Sequence, residues 1–282
     1  SSTEPGEVRA ESSTVPLLEA RFDLSLEGSR ACVVGERTHE ATRTLLGKPT
    51  VSVGRRRELG MLVGAWDHAV EEPAASVVLV TAPAGMGKSR LRYELLRTLR
   101  QRGETFTLLE GRGDSLSAGS PFALVVPAIR RWAGVREADP PELVQEALGR
   151  KLARRLEADE LERVWLFLCE LVGAPVLSSE DPALRAARGD PMLLAETTKR
   201  AFCDWIEAEC EAQPVLMILE DLHWGDVPSV RFVEAALSRV PDRPLLVLAL
   251  ARPEVHERFT ELWERHALQE VRLGALSKAA SL

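Results

Sequence analysis

A three-layer α/β domain built on a mostly parallel five-stranded sheet is the fold class the sequence predicts, and three observations carry it. An apolar, β-branched run, Val77 to Thr81, stops at a loop of small residues and passes directly into an amphipathic segment. A second run, Val215 to Leu219, is apolar at every position and ends in Glu220-Asp221. A third, Pro244 to Ala251, ends in Arg252-Pro253. Strands that are apolar throughout are buried on both faces, the condition of a parallel sheet covered by helices.

Composition bounds the rest. The 282 residues are 45% hydrophobic and 28% charged, as in ordinary globular protein. A net charge of −7 disfavours a broad electrostatic attraction to nucleic acid. Cys32, Cys169, Cys203 and Cys210 show no C-x-x-C or Cys/His metal spacing, so they read as buried thiols of a reducing compartment. No apolar run approaches the ~18 residues of a membrane helix and no signal peptide opens the sequence. A cytoplasmic location, away from membranes, is expected.

In chain order, residues 1–49 read as a linker or tail. Ser1 to Pro16 is rich in Ser, Glu, Thr and Pro and is expected to be disordered. Phe22, Leu24 and Leu26 alternate with polar residues, Glu27-Gly28-Ser29 supplies a turn and Ala31 to Val34 returns, which makes a small hairpin. Thr38 to Pro49 is a connector. The main domain, 50–282, opens with a short extended piece at Val51 to Gly54. A helix to Glu71 follows, with Leu59, Leu62, Val63, Trp66 and Val70 on one face.

After the first strand, a helix from Lys88 to about Arg100 carries Leu91, Leu95 and Leu99 at four-residue spacing. The second strand is Thr105 to Glu110. The Arg112-Gly113-Asp114 triplet after it resembles an adhesion ligand, but its place directly after a strand favours a turn. Helical segments at Pro121–Ala133, Pro141–Glu157, Asp159–Val172 and Met192–Ala212 make an insertion between strands two and three. Asp226 is placed to cap a helix running to Ser238. The fourth strand is followed by a helix from Glu254 to His266 and a last strand, Glu270 to Leu273.

The chemistry gathers where strands end. Ala82-Pro83-Ala84-Gly85-Met86-Gly87-Lys88-Ser89-Arg90, between a strand and a helix, has the form of a phosphate-binding loop. Small residues let successive N–H groups surround an anion, and the helix N-terminus adds its own. Lys88 can reach β- and γ-phosphates, and the Ser89 hydroxyl can take a Mg²⁺ position. Ala82 stands where the motif has its first glycine, and alanine fits there if φ is negative. Glu220 and Asp221 emerge beside this loop, one to hold Mg²⁺ with Ser89 and the other to orient a water. Arg252, at the end of a neighbouring strand, can report on a γ-phosphate. His223 reads as a structural or hydrogen-bonding residue.

With these residues in view, the chain resembles the STAND branch of AAA-type signalling ATPases of bacterial regulators. Val53-Gly54-Arg55-Arg56-Arg57-Glu58-Leu59, the Ala82–Ser89 loop, Leu219 to Asp226 and Ala251-Arg252-Pro253-Glu254 carry the resemblance. Arg56 departs from the usual glutamate, and Gly225 stands for the usual alanine. The resemblance implies a P-loop NTPase sheet in the order 5-1-4-3-2 and an ATP/ADP and Mg²⁺ site with slow hydrolysis. It places Val53, Gly54 and Arg55 near the adenine and makes Arg252 a sensor.

Leu45 to Thr50 looks like the joint to an upstream serine/threonine kinase or other regulatory domain. The lid and downstream repeat domains of such proteins are absent, so the chain looks like a fragment or a truncated protein. Two other readings stay open. One is a nucleotide-binding scaffold that does not hydrolyse, because the Glu-Asp order inverts the usual one. The other is a DNA-handling ATPase of the origin-recognition type.

Overall fold

The computed structural model describes residues 8–11, 22–27, 30–36, 44–45, 48–49, 54–116 and 119–274. The chain divides into two units, Ser1–Val53 and Gly54–Leu282. In the first unit, β1 (Val8–Glu11), β2 (Phe22–Glu27) and β3 (Arg30–Glu36) form an antiparallel sheet in the order β1-β3-β2. The β2–β3 pair has the register Leu26↔Ala31 and Glu27↔Arg30. The turn residues 28 and 29 lie outside the described residues. β1 falls inside the stretch expected to be disordered and corrects that expectation. Its pairing with β3 is made by backbone groups, which composition does not register. Within the expected connector, β4 (Thr44–Leu45) and β5 (Lys48–Pro49) also pair.

The second unit opens with α1 (Arg56–Glu71), whose Leu62, Trp66 and Ala69 are buried at helical spacing. β6 (Ala75–Thr81) and α2 (Lys88–Gln101) flank the small-residue loop, and β7 (Thr107–Arg112) follows. The helical insertion comprises α3 (Val125–Ala133), α4 (Pro141–Leu152), α5 (Ala158–Leu171), α6 (Pro182–Arg188) and α7 (Pro191–Ala212). Then come β8 (Val215–Glu220), α8 (Val227–Arg239), β9 (Leu245–Ala251), α9 (Val255–Arg258) and β10 (Gln269–Arg272).

The sheet order is β10-β6-β9-β8-β7 with every neighbouring pair parallel, which is the 5-1-4-3-2 order. Alternate residues of the apolar strands explain the three layers. Val78, Val80, Leu216, Ile218, Leu246 and Leu248 pack with Leu62, Trp66, Leu91, Leu95 and Leu99 of α1 and α2. Val77, Leu79, Met217, Leu219 and Val247 face the other way, onto Ile129, Phe202, Trp205 and Val233. Cys169, Cys203 and Cys210 are free and buried on these helices, and burial pushes their thiols up to about 12. They are therefore unreactive packing residues.

Several elements depart from expectation: the helix from Pro141 ends at Leu152 rather than Glu157, and the second strand runs over Thr107–Arg112 rather than Thr105–Glu110. α3 begins at Val125 rather than Pro121 because the Phe122 and Leu124 N–H groups are taken by Asp226, at 2.8 and 3.3 Å. The sequence reading missed α6, although Asp181 caps it by accepting from Leu184 N at 2.7 Å and Pro182 opens it. The helix expected over Glu254–His266 is a single turn, α9, then a 3₁₀ turn at Glu264–His266. Phe259, Leu262 and Trp263 are all buried there, and Trp263 Nε1 donates to Val230 O at 3.1 Å. Packing on α8 overrides the helical period. No helix among the described residues is long and apolar enough to cross a membrane.

Candidate functional site

The small-residue loop leaves β6 through a backbone bond, Ala82 N to Ala251 O, 3.1 Å. Ala82 is buried, and its φ is not among the positive ones, so alanine meets the condition set by the missing glycine. Gly85 and Gly87 do need their glycines, with φ of 78° and 92°. Gly87 is the N-cap of α2 and no side chain caps that end, so the first N–H groups have no side-chain acceptor there and suit an anion.

Lys88 Nζ donates to the carbonyls of Ala82 at 2.7 Å and Pro83 at 3.1 Å. Its pKa is lowered, first by burial; Asp221 acts to raise it and Arg252 to lower it. Ser89 is exposed at the start of α2. Arg90 turns to its own helix, pairing with Glu94 at 2.6 Å and stacking on Tyr93.

Of the leading motif, Val53 lies outside the described residues and Gly54 has φ 81°. Arg55 is buried and serves as a clamp. Its guanidinium donates to Glu58 Oε1 at 2.9 Å, to the loop carbonyl of Met86 at 3.2 Å and to Gly274 O at 2.6 Å. One side chain thus ties α1, the phosphate loop and the end of β10 together.

The two acids after β8 have different surroundings. Glu220 is buried on the α2 side, where Arg92 Nε lies 3.2 Å from its Oε1. The same guanidinium pairs with Glu110 of β7. Asp221 takes a left-handed turn, φ 50°, and is a third exposed, with Arg112 Nε at 3.2 Å. It is Asp221 rather than Glu220 that bears electrostatically on Lys88. Gly113 packs beneath this turn: a Cβ there would meet Asp221 O at 2.5 Å.

His223 accepts the Arg252 N–H on Nδ1, at 3.3 Å. Burial lowers its pKa, and Arg252 and Lys88 push the same way against Asp221, so the ring is held neutral and Nδ1 stays an acceptor. Lys88, Asp221, His223 and Arg252, from three strand ends, therefore share one electrostatic neighbourhood. The sequence pointed to the sites of Lys88, Asp221 and Arg252. It did not point to Arg92 or Arg112, and it left the His223 bond to Arg252 unspecified. Arg92 does occupy a position next to Leu91 on the buried face of α2, where a cation needs a partner.

A parallel α/β sheet with a glycine-bearing loop at one strand end and acids at another defines a nucleotide-binding ATPase domain. The chain belongs to the AAA ATPase domain family, whose model matches residues 51–248. Among curated proteins, it is 29% identical over 227 residues to "Uncharacterized protein R02095" of Rhizobium meliloti (strain 1021). That match takes in 74% of this chain and 19% of the relative, so the chain spans about a fifth of that protein's length.

Among solved structures, the Drosophila ORC bound to GC-rich DNA and Cdc6 aligns with a TM-score of 0.35 and 10% identity, covering 80% of this chain and 63% of that one. Plasmid coupling protein TrwB in complex with the ATP analogue ADPNP aligns with a TM-score of 0.29 and 16% identity, over 87% and 77%. Membership of the family implies a nucleotide-binding domain.

Proposed function

We propose that this domain binds ATP and ADP with Mg²⁺, hydrolyses ATP slowly, and acts as the switch of a STAND-type signalling or transcription-regulatory ATPase. The observation that carries the reading is the convergence of Lys88, Asp221 and Arg252 on one loop. Ala82 to Ser89 and the α2 N-terminus would cradle the phosphates, with Lys88 leaving its loop carbonyls for the β- and γ-phosphates. The exposed Ser89 hydroxyl and the Asp221 carboxylate fit a hard, oxygen-ligated cation. Glu220 would join them only on leaving Arg92. Bound Mg²⁺ would neutralise charge on the phosphates. Arg252, set by His223, is the sensor, and Gly54 and Arg55 border the adenine side. In a longer parent, an upstream kinase or other regulatory domain and downstream repeat domains would supply the signal and the response.

A nucleotide can drive a switch only through differential affinity, so ATP and ADP must be told apart. Calorimetry on the chain and two variants tests this. Lys88→Ala should lose ten-fold or more in affinity for both nucleotides, a charge-assisted contact being worth about 1.5–3 kcal/mol. Arg252→Ala should narrow the difference between ATP and ADP and leave ADP binding nearly intact. Equal ATP affinity in the chain and Lys88→Ala overturns the site, and equal weakening of ATP and ADP by Arg252→Ala removes the sensor. A non-hydrolysing scaffold is the second reading, favoured by the engagement of Glu220 with Arg92. Single-turnover ADP formation separates the two.

A further inference from the structure

A cavity of about 460 Å³ opens at the amino ends of β7 and β8, away from the carboxyl-end loops that form the nucleotide site. Its volume lies in the range of small-molecule sites. Arg131, Lys151, Arg154 and Arg155 line it, in a chain whose net charge is −7. The one carboxylate in the lining, Glu209, cannot neutralise them. It is wholly buried and already accepts from Thr107 Oγ1 at 2.7 Å and from Arg155 Nε at 3.1 Å.

None of the other three cations is in an ion pair among the described residues, although Glu209 acts on Lys151 from a distance. Arg131 Nη1 donates to the Glu110 carbonyl at 2.7 Å. Lys151 Nζ donates to the Trp132 carbonyl and lies 5.2 Å from the centroid of its ring. Arg154 is exposed on the rim and has no ion-pair partner among the described residues. Burial, with Arg154 and Arg155, lowers the Lys151 pKa against the opposing pull of Glu209, and an incoming anion would favour the charged ammonium further.

We propose that this cavity is an anion site separate from the nucleotide site, taking a small phosphate-bearing molecule on Arg131, Lys151 and Arg154. Guanidinium groups grip phosphate oxygens through paired N–H bonds, and the lysine adds a point charge. The Trp132 ring beneath the lysine gives the rest of such a molecule an apolar wall.

The test uses inorganic pyrophosphate as the probe, titrated calorimetrically into the full chain carrying Lys88→Ala, so that the nucleotide loop contributes little. Binding should persist in that background and weaken about ten-fold or more when Arg154→Glu is added. Arg154 is on the rim, so its reversal leaves the core intact, and ATP affinity of the chain with Arg154→Glu alone should be unchanged. No pyrophosphate binding to the Lys88→Ala chain, or binding unaltered by Arg154→Glu, overturns the proposal. Neither result bears on whether ATP occupies the loop at Lys88.

Discussion

At the scale of single residues, Arg92 is the most consequential side chain that pattern reading did not anticipate. It is 5% exposed and lies between two carboxylates, Glu110 and Glu220, which are 14% and 12% exposed. Removing one partner of such a group leaves the others as uncompensated buried charge, which is costlier than never having had them. Arg92→Met should therefore destabilise the domain by about 3 kcal/mol in urea unfolding. In a chain already carrying Glu110→Gln and Glu220→Gln the same change should cost much less. An equal cost in both backgrounds would show that Arg92 acts through packing of its aliphatic stem alone. The pairing also bears on chemistry, because both acids after β8 face an arginine, Glu220 the buried Arg92 and Asp221 the half-exposed Arg112, and Asp221 alone stands a third open beside the loop.

At the scale of elements, the junction of β7 with α3 is a close backbone contact. Gly111 lies under the Leu124 carbonyl, so closely that a Cβ would meet it at 2.4 Å, with Leu219 Cδ2 at 3.3 Å. A backbone carbonyl cannot swing aside as a flexible side chain can. Gly111→Ala is expected to cost about 2 kcal/mol or more through forced separation of α3 from β7. Gly60, exposed within α1 with nothing within 4 Å of an added Cβ, is the control. Gly60→Ala should stabilise by about 0.5–1 kcal/mol, since alanine has less chain entropy to lose and a better helical propensity. Thermal or urea midpoints of the two variants should move in opposite directions. If both moved upward, the close approach at Gly111 would not be a constraint.

At the scale of the whole nucleotide-binding unit, the parallel sheet is closed at its β10 edge by a knot of polar contacts around Glu270. Thr81 Oγ1 donates to it at 2.6 Å, His256 Nε2 lies at 3.1 Å and Arg272 Nη2 donates at 2.9 Å. Burial pushes the carboxyl's pKa up, but the bonds from Arg272, Thr81 and His256 outweigh it and lower it from 4.5 to about 2. A carboxylate with a depressed folded-state pKa binds its proton more readily when unfolded. Its stabilisation is therefore complete above 4.5 and is lost as pH falls from there towards 2. Glu270→Gln should remove this component, so that its stability and that of the parent chain converge by about 2 kcal/mol across that interval. Urea midpoints measured across the interval check it; parallel curves would mean that Glu270 is as easily protonated in the folded chain as in the unfolded one.

The amino-acid sequence by itself determined the sheet and the position of the loop. Runs such as Val215–Leu219 must bury both faces, and only small residues followed by Lys88-Ser89 can wrap an anion at a strand end. These are local properties, set by period and residue size. Tertiary structure alone decided how each acid is partnered, because Arg92 of α2 reaches Glu220 of β8, and Arg112 of β7 reaches Asp221, only once the elements lie side by side. It likewise decided that Arg55 clamps the Met86 and Gly274 carbonyls, the latter 219 residues away. It stopped the expected helix after Arg258, where burial of Trp263 on α8 outweighs a helical period. Charges and large rings interact with whatever the fold brings within a few ångströms. No spacing along the chain encodes that neighbour.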